Sequence, residues 1–303
     1  MKVAALDLGS NTFLCLVAEV EGGKITHVYE DLLEVVRLGQ DVDKTKMLHP
    51  EALERADKCL SKFKAVIDKQ KPHKILAMAT SAARDSNNRE LLFEIGKKYD
   101  IPIEIIHGKD EAKITFQGAM SGPAAPQKCL VIDIGGGSTE FIAGHAEHIQ
   151  ASQSLNIGCV RITEKFMPSQ PTPENEVMLA TAFITESISK LENFENIHID
   201  EILAVAGTPV ALVSAQLGIY DPQKIDGFLL TEKMLGDWKI VLQKSTYAEK
   251  IKSGIPTGRA DVILAGILIL QQTLEKFKKK QIMVSTRGVR HGIALEIACR
   301  HTT

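Results

Sequence analysis

Short apolar runs alternate with stretches of helical period along almost the whole chain. The runs at 3–6, 13–19, 75–79, 103–106, 130–132, 140–143, 202–205 and 282–284 are mainly aliphatic and read as strands. Between them, Pro50 opens a segment in which Leu53, Ala56, Leu60, Phe63 and Ile67 recur at spacings of three and four, the helical period. Thr172 is placed to cap a second helix, with Pro173 in its first turn and Val177, Thr181, Ile184, Ile188 and Leu191 on one face. The most apolar stretch, 262–270, is too short to cross a bilayer and runs into Gln271 and Gln272, so it reads as a buried helix. Strands interleaved with helices predict an α/β architecture with covered sheets.

The same pattern carries an internal repeat. VAALDLGSNTF at 3–13 and LVIDIGGGSTEF at 130–141 each run from an apolar strand through Asp, an aliphatic residue and Gly to small or hydroxyl residues, then back to apolar character. Asp7 and Asp133 stand nearly half the chain apart, which points to a duplicated domain rather than a solenoid. Gly122, Pro123, Ala124, Ala125 and Pro126 precede the second copy and form the natural linker. The expected division is 1–124 and 125–303.

Composition narrows the class. The 303 residues suit two domains, and 44% hydrophobic with 24% charged residues is the make-up of a globular protein. A net charge of −2 excludes a globally basic binder of nucleic-acid polymers while leaving room for a local basic groove. Cys15, Cys59, Cys129, Cys159 and Cys299 lie far apart, the use of thiols in a reducing cytoplasm. Asp7 interrupts the apolar N-terminus too early for a signal peptide, and no membrane segment is apparent. The nine histidines have no ligand spacing, which argues against zinc.

The repeated turn is where chemistry is expected. A strand that ends in a glycine turn can aim successive N–H groups at an oxyanion, and Ser or Thr hydroxyls add donors. The residues so placed are Gly9, Ser10, Asn11 and Thr12 in the first copy, and Gly135, Gly136, Gly137, Ser138 and Thr139 in the second. Gly207 and Thr208, where a strand meets a helix, form a third such place, although a simple helix cap explains them nearly as well. A single glycine turn often makes only a hairpin; two with equivalent aspartates are able to grip one polyanion.

The motifs DLGSNT (7–12), ATSAARDSNN (79–88), PIEIIHGKDEAKITFQG (102–118), VIDIGGGSTEF (131–141), NIGCVRITE (156–164), AGTPVAL (206–212), GRADVILAG (258–266) and RGVRHG (287–292) run in the order of one family. The chain resembles the exopolyphosphatase/guanosine-pentaphosphate phosphohydrolase family, within the superfamily of actin, sugar kinases and heat-shock chaperone ATPases. The resemblance implies two similar actin-like (ribonuclease H-like) domains with an interdomain cleft, and a last helix, about 289–300, packed back on the first domain. It implies that Glu111 activates the attacking water, that Asp133 and Glu140 serve Mg²⁺ and catalysis, and that Arg84 contacts phosphate. Asp7 is either a further metal or water ligand or a brace for its own turn. The implied substrates are inorganic polyphosphate and guanosine penta- or tetraphosphate, and a homodimer is a reasonable expectation.

Plainer readings stand beside these. Glu111 is also an acid in a helix's first turn, Glu140 an outward strand residue, Arg84 a surface arginine and Asn88 an ordinary turn residue. Lys276, Lys278, Lys279 and Lys280 read as a solvated helix end, and Trp238 as partly buried. Longer family members carry a C-terminal helical domain absent from this sequence, and His291 stands where an acidic residue is usual. Two other functions compete: a small-molecule kinase using ATP, and a non-enzymatic polyphosphate or alarmone sensor. Phosphorylated acceptor would reveal the first, and ligand binding without phosphate release the second.

Overall fold

The computed structural model describes residues 1–122, 125–145 and 148–301. Two compact units emerge, 1–121 with 287–303 and 122–286. This division lies a few residues before the expected 124 and returns the C-terminal segment to the first unit. Of the expected linker, Pro123 and Ala124 lie outside the described residues.

The first unit begins with a meander of β1 (Lys2–Leu8), β2 (Thr12–Glu21) and β3 (Lys24–Val35). It continues through α1 (Val42–Thr45), α2 (Pro50–Gln70), β4 (Lys74–Ala79), α3 (Ser81–Arg84), α4 (Glu90–Lys98), β5 (Ile103–Ile105) and α5 (Gly108–Met120). The sheet order is β3-β2-β1-β4-β5, antiparallel within the meander and parallel from β1 onward. Residues of β1 alternate between two cores, as the period of a strand requires. Ala4, Leu6 and Leu8 join Ala56, Leu60, Phe63 and Ile67 of α2. Val3 and Ala5 join Ile114 of α5 on the other face.

The second unit starts with a like meander, β6 (Lys128–Ile134), β7 (Thr139–His145) and β8 (His148–Leu155). There follow α6 (Cys159–Phe166), α7 (Glu174–Ser189), β9 (Glu201–Val205), α8 (Gly207–Leu217), α9 (Pro222–Ile225) and β10 (Leu229–Thr231). The unit closes with α10 (Glu232–Lys244), α11 (Tyr247–Lys252), α12 (Ile263–Lys276) and β11 (Gln281–Val284). Its order is β10-β11-β9-β6-β7-β8, with β6, β9 and β11 parallel. Helix α12 is the buried helix expected at 262–270, with Ile263–Leu270 all in the core. The last helix, α13 (Val289–Arg300), packs Ile293, Ala294 and Ile297 into the second core of the first unit. It meets α5 backbone to backbone, since a Cβ on Gly118 or Gly292 would overlap the facing chain.

Two local expectations change. Thr172 does not cap α7: its hydroxyl donates to the Ser169 carbonyl at 3.0 Å, and Pro173 takes the cap position. The strands β3, β8 and β10 had no apolar run to announce them. The first two are sheet edges with partly exposed, mixed sequences, and the third has three residues. Trp238 is partly buried on α10, and Lys279 and Lys280 bond to the Asp200 carbonyl and to Glu232 beyond the end of α12.

Candidate active site

The two glycine turns have one geometry. Each closes an antiparallel hairpin with a two-residue loop: Gly9 N–H donates to the Thr12 carbonyl at 3.1 Å, and Gly135 N–H to the Ser138 carbonyl at 3.0 Å. Behind each loop, the segment after the third strand holds the loop carbonyls. In the first unit Val36 and Arg37 N–H donate to Asn11 O, and Gly39 N–H to Ser10 O. In the second, Cys159 N–H donates to Gly135 O, Val160 and Arg161 N–H to Gly136 O, and the Arg161 side chain (Nε) to Gly137 O at 2.9 Å. A peptide unit is planar with its C=O and N–H opposed. Three successive carbonyls drawn backward therefore turn the N–H groups of Gly136, Gly137 and Ser138 to the opposite side, an arrangement suited to an anion.

The register then sets the carboxylates. Asp133 faces Glu140 directly across the β6–β7 hairpin, and both are buried. Residues so paired project from the same face of the ladder, so two acids share one small volume, and Ser154 donates to Glu140 Oε1 at 2.7 Å. The equivalent partner of Asp7 is Leu14.

In the first unit Arg84, at the end of α3, donates through Nη1 to the Ile106 carbonyl at 2.9 Å and to Glu111 Oε2 at 3.0 Å. Glu111 lies in the first turn of α5 and is only 5% exposed. The guanidinium at this distance orients the buried carboxylate. Arg84 is thus held by its own unit, not free on the surface.

Several hydroxyls named from sequence are already engaged. Ser10 Oγ lies 2.8 Å from Ser81 Oγ and accepts from Ala82 N–H at 3.1 Å, fixing the start of α3. Thr139 donates to the Ile157 carbonyl, and Asn11 Nδ2 donates to Thr12 Oγ1. Thr208 is fully buried and packs against Gly266 of α12, so its side chain turns inward rather than outward from the start of α8. Asn88 clamps Leu48 through both its amide atoms. Ala206, ahead of Gly207, holds φ 71°, a conformation costing about 1–3 kcal/mol outside glycine.

Residues without an individual role in the sequence reading also shape the site. Arg161 and Gly158 hold the second turn from behind, and a Cβ on Gly158 would overlap Gly136. The Arg259 guanidinium lies against Gly207. All three fall inside the motifs NIGCVRITE and GRADVILAG, so the signal was present without a stated function. His291 is buried in α13, and desolvation, reinforced by Arg290 and Arg287, holds its pKa well below the ordinary value.

Two α/β units, each a three-stranded meander followed by parallel strands with an aspartate at the hairpin end, define an actin-like, ribonuclease H-like protein. The sequence profile of the Ppx/GppA phosphatase family matches residues 16–301, and the chain belongs to that family. It is 40% identical over 97% of its length to a bifunctional 3-dehydroquinate synthase/phosphatase of Fusobacterium nucleatum, of which it covers 46%. It is 30% identical to exopolyphosphatase 2 of Mycobacterium tuberculosis, with 98% of each chain covered. The crystal structure of the Aquifex aeolicus Ppx/GppA family member superposes with a TM-score of 0.82 at 29% identity, covering 100% of this chain and 99% of that one. The chain thus spans about half the length of the first relative and nearly all of the second. No helix among the described residues is long and apolar enough to cross a membrane.

Proposed function

We propose that the chain is a cytoplasmic phosphohydrolase that releases the terminal phosphate of inorganic polyphosphate, guanosine pentaphosphate, or both. The observation that carries this reading is the buried Asp133–Glu140 pair beside a turn whose N–H groups face one way. Family membership and the name of the M. tuberculosis relative support the substrate class. The four buried thiols and the net charge of −2 fit a reducing compartment and a phosphate-rich small molecule or polyphosphate, not a nucleic-acid polymer.

The residues present fit a divalent cation. Two carboxylates on one ladder face are hard oxygen donors that repel each other without a counter-charge, and one or two protein carboxylates are what Mg²⁺ takes when phosphate supplies further ligands. Among the described residues no cluster of three or more His, Cys, Asp or Glu could hold a metal. Asp133 and Glu140 would hold Mg²⁺, with Asp7 as a further carboxylate of the first unit. When bound, Mg²⁺ supplies charge neutralisation at the phosphate oxygens.

The chain's own groups do the rest. The N–H groups of the two turns and of Gly207 bind and orient phosphate oxygens. Glu111 takes a proton from water as the water oxygen bonds to the terminal phosphorus, and the bridging oxygen leaves with the shortened phosphate chain. Arg84 keeps the Glu111 carboxylate aimed and presents its remaining guanidinium edge to phosphate. Positioning supplies most of the acceleration. Phosphate release on polyphosphates of several lengths and on guanosine pentaphosphate, with and without Mg²⁺, tests the proposal. Release from at least one of them only with the metal is expected. Transfer to an added acceptor from ATP would instead indicate a kinase, and binding without release a sensor.

A further inference from the structure

Lysine is almost never fully buried unless it is paired. Lys250, in α11, is only 1% exposed, and among the described residues it is the one lysine or arginine in the core. Its carbonyl accepts from Ile255 N–H at 3.2 Å and from the Ser253 hydroxyl at 2.7 Å, which starts the connection to α12. Its ammonium donates to Gln170 Oε1 at 3.2 Å, and Gln170 Nε2 donates in turn to the Asp261 carbonyl at 3.4 Å. From the other end of α11, the Tyr247 hydroxyl donates to the Thr257 carbonyl at 2.7 Å.

Arg259 stands between these two anchors. Its carbonyl accepts from Val262 and Ile263 N–H at the start of α12. Its guanidinium lies against Gly207 and reaches Cys159 Sγ at 3.9 Å, and Cys159 N–H holds Gly135 O of the second glycine turn. We propose that Lys250 is a positioning residue for phosphate binding: its buried ammonium holds the turn 256–261 so that Arg259 keeps its guanidinium against Gly207. The proposal rests on the reading of Gly207 as a phosphate contact.

The charge of Lys250 is not there for stability. Burial pulls its pKa down to about 8 against the opposing pull of Asp261, the charged group that faces it. On its own helix Glu249 is exposed and bound to Thr246, and Lys252 is exposed. From α7, Glu176 is taken up by Ser169, next to Gln170. A lysine whose pKa is lower in the fold than in the unfolded chain costs stability while charged. The fold therefore gains from this group as pH rises from about 8 towards the ordinary value of 10.5. A methionine of like length avoids that cost, which points to a use for the charge at the neighbouring site. Once neutral, Lys250 no longer attracts Asp261, and the turn that carries Arg259 loosens.

The test follows phosphate release from inorganic tripolyphosphate, and thermal unfolding, between pH 7 and 9.5. Comparing variants at each pH cancels the titration of the tripolyphosphate itself. Lys250→Met is expected to raise KM about tenfold at pH 7 with kcat little changed. Across pH 8–9.5 the wild-type KM should climb to meet that of the variant, while its melting temperature rises relative to the variant. A merely structural role would move affinity and stability in the same direction. In Arg259→Ala the KM step near pH 8 should vanish, because Lys250 acts through that arginine. A wild-type KM that keeps the same ratio to Lys250→Met from pH 7 to 9.5, or a step that persists in Arg259→Ala, overturns the proposal. If the wild type released no phosphate from any substrate, the hydrolase reading would fall. Calorimetric binding of tripolyphosphate by the same proteins over the same pH range would then decide on Lys250.

Discussion

The β1–β2 and β6–β7 hairpins share strand register, loop length and the bond across the loop, yet differ in what faces the aspartate. Across from Asp7 stands Leu14; across from Asp133 stands Glu140. The first hairpin thus carries one acid and the second a facing pair. In the first unit a further buried carboxylate, Glu111, comes from another element, α5, and is steadied by Arg84. Under the proposed function this difference divides the labour: the second hairpin would hold the cation, and Glu111 would handle water.

The largest effect expected is from Glu111→Gln, which keeps the shape and removes the base. Phosphate release should fall about 10²–10⁴-fold, with substrate binding measured by calorimetry little changed. Next come Asp133→Asn and Glu140→Gln, each expected to cost about 10²–10³-fold. Leu14→Ala at the corresponding place should leave kcat within a few-fold. Equal losses at Leu14 and Glu140 would break the division.

Smaller effects concern the supports of each turn. Gly158→Ala forces a methyl into the Gly136 peptide and should cost about 2–4 kcal/mol in denaturant unfolding. Gly39→Ala meets Ser10 at 3.0 Å, near the limit of tolerable contact, and should cost about 1 kcal/mol. An effect of similar size is a pH dependence. His291 stays neutral in the fold while the unfolded chain takes up a proton as pH falls below about 6.5. Its contribution to stability is therefore fully present above that pH and lost below it, at about 1.4 kcal/mol per pH unit. His291→Leu should abolish this acid-side slope, as read from unfolding midpoints at pH 7.5 and 5.5.

The sequence made the hairpins legible because everything that defines them is local: an apolar run, an aspartate, glycines, a return to apolar character. The same locality marked α2 and α12. Edges were not legible, because β3 and β8 are partly exposed and lack the apolar runs that betray central strands. Nor could the fate of the hydroxyls be read. Ser10 meets Ser81, and Thr139 meets Ile157, only once the strands are in register. Thr208 turned inward for a similar reason: Gly266, far along the chain, leaves room for it. The facing of Glu140 to Asp133 follows from a two-residue loop, and a two-residue loop is itself a local property.

The most direct measurement is a Mg²⁺ titration of phosphate release from guanosine pentaphosphate and polyphosphate by the wild type and Glu140→Gln. The account predicts no release by the wild type without the metal, and a half-saturating Mg²⁺ concentration at least about tenfold higher in the variant's residual activity. Release in the presence of a chelator, or an unchanged Mg²⁺ dependence in Glu140→Gln, would contradict it.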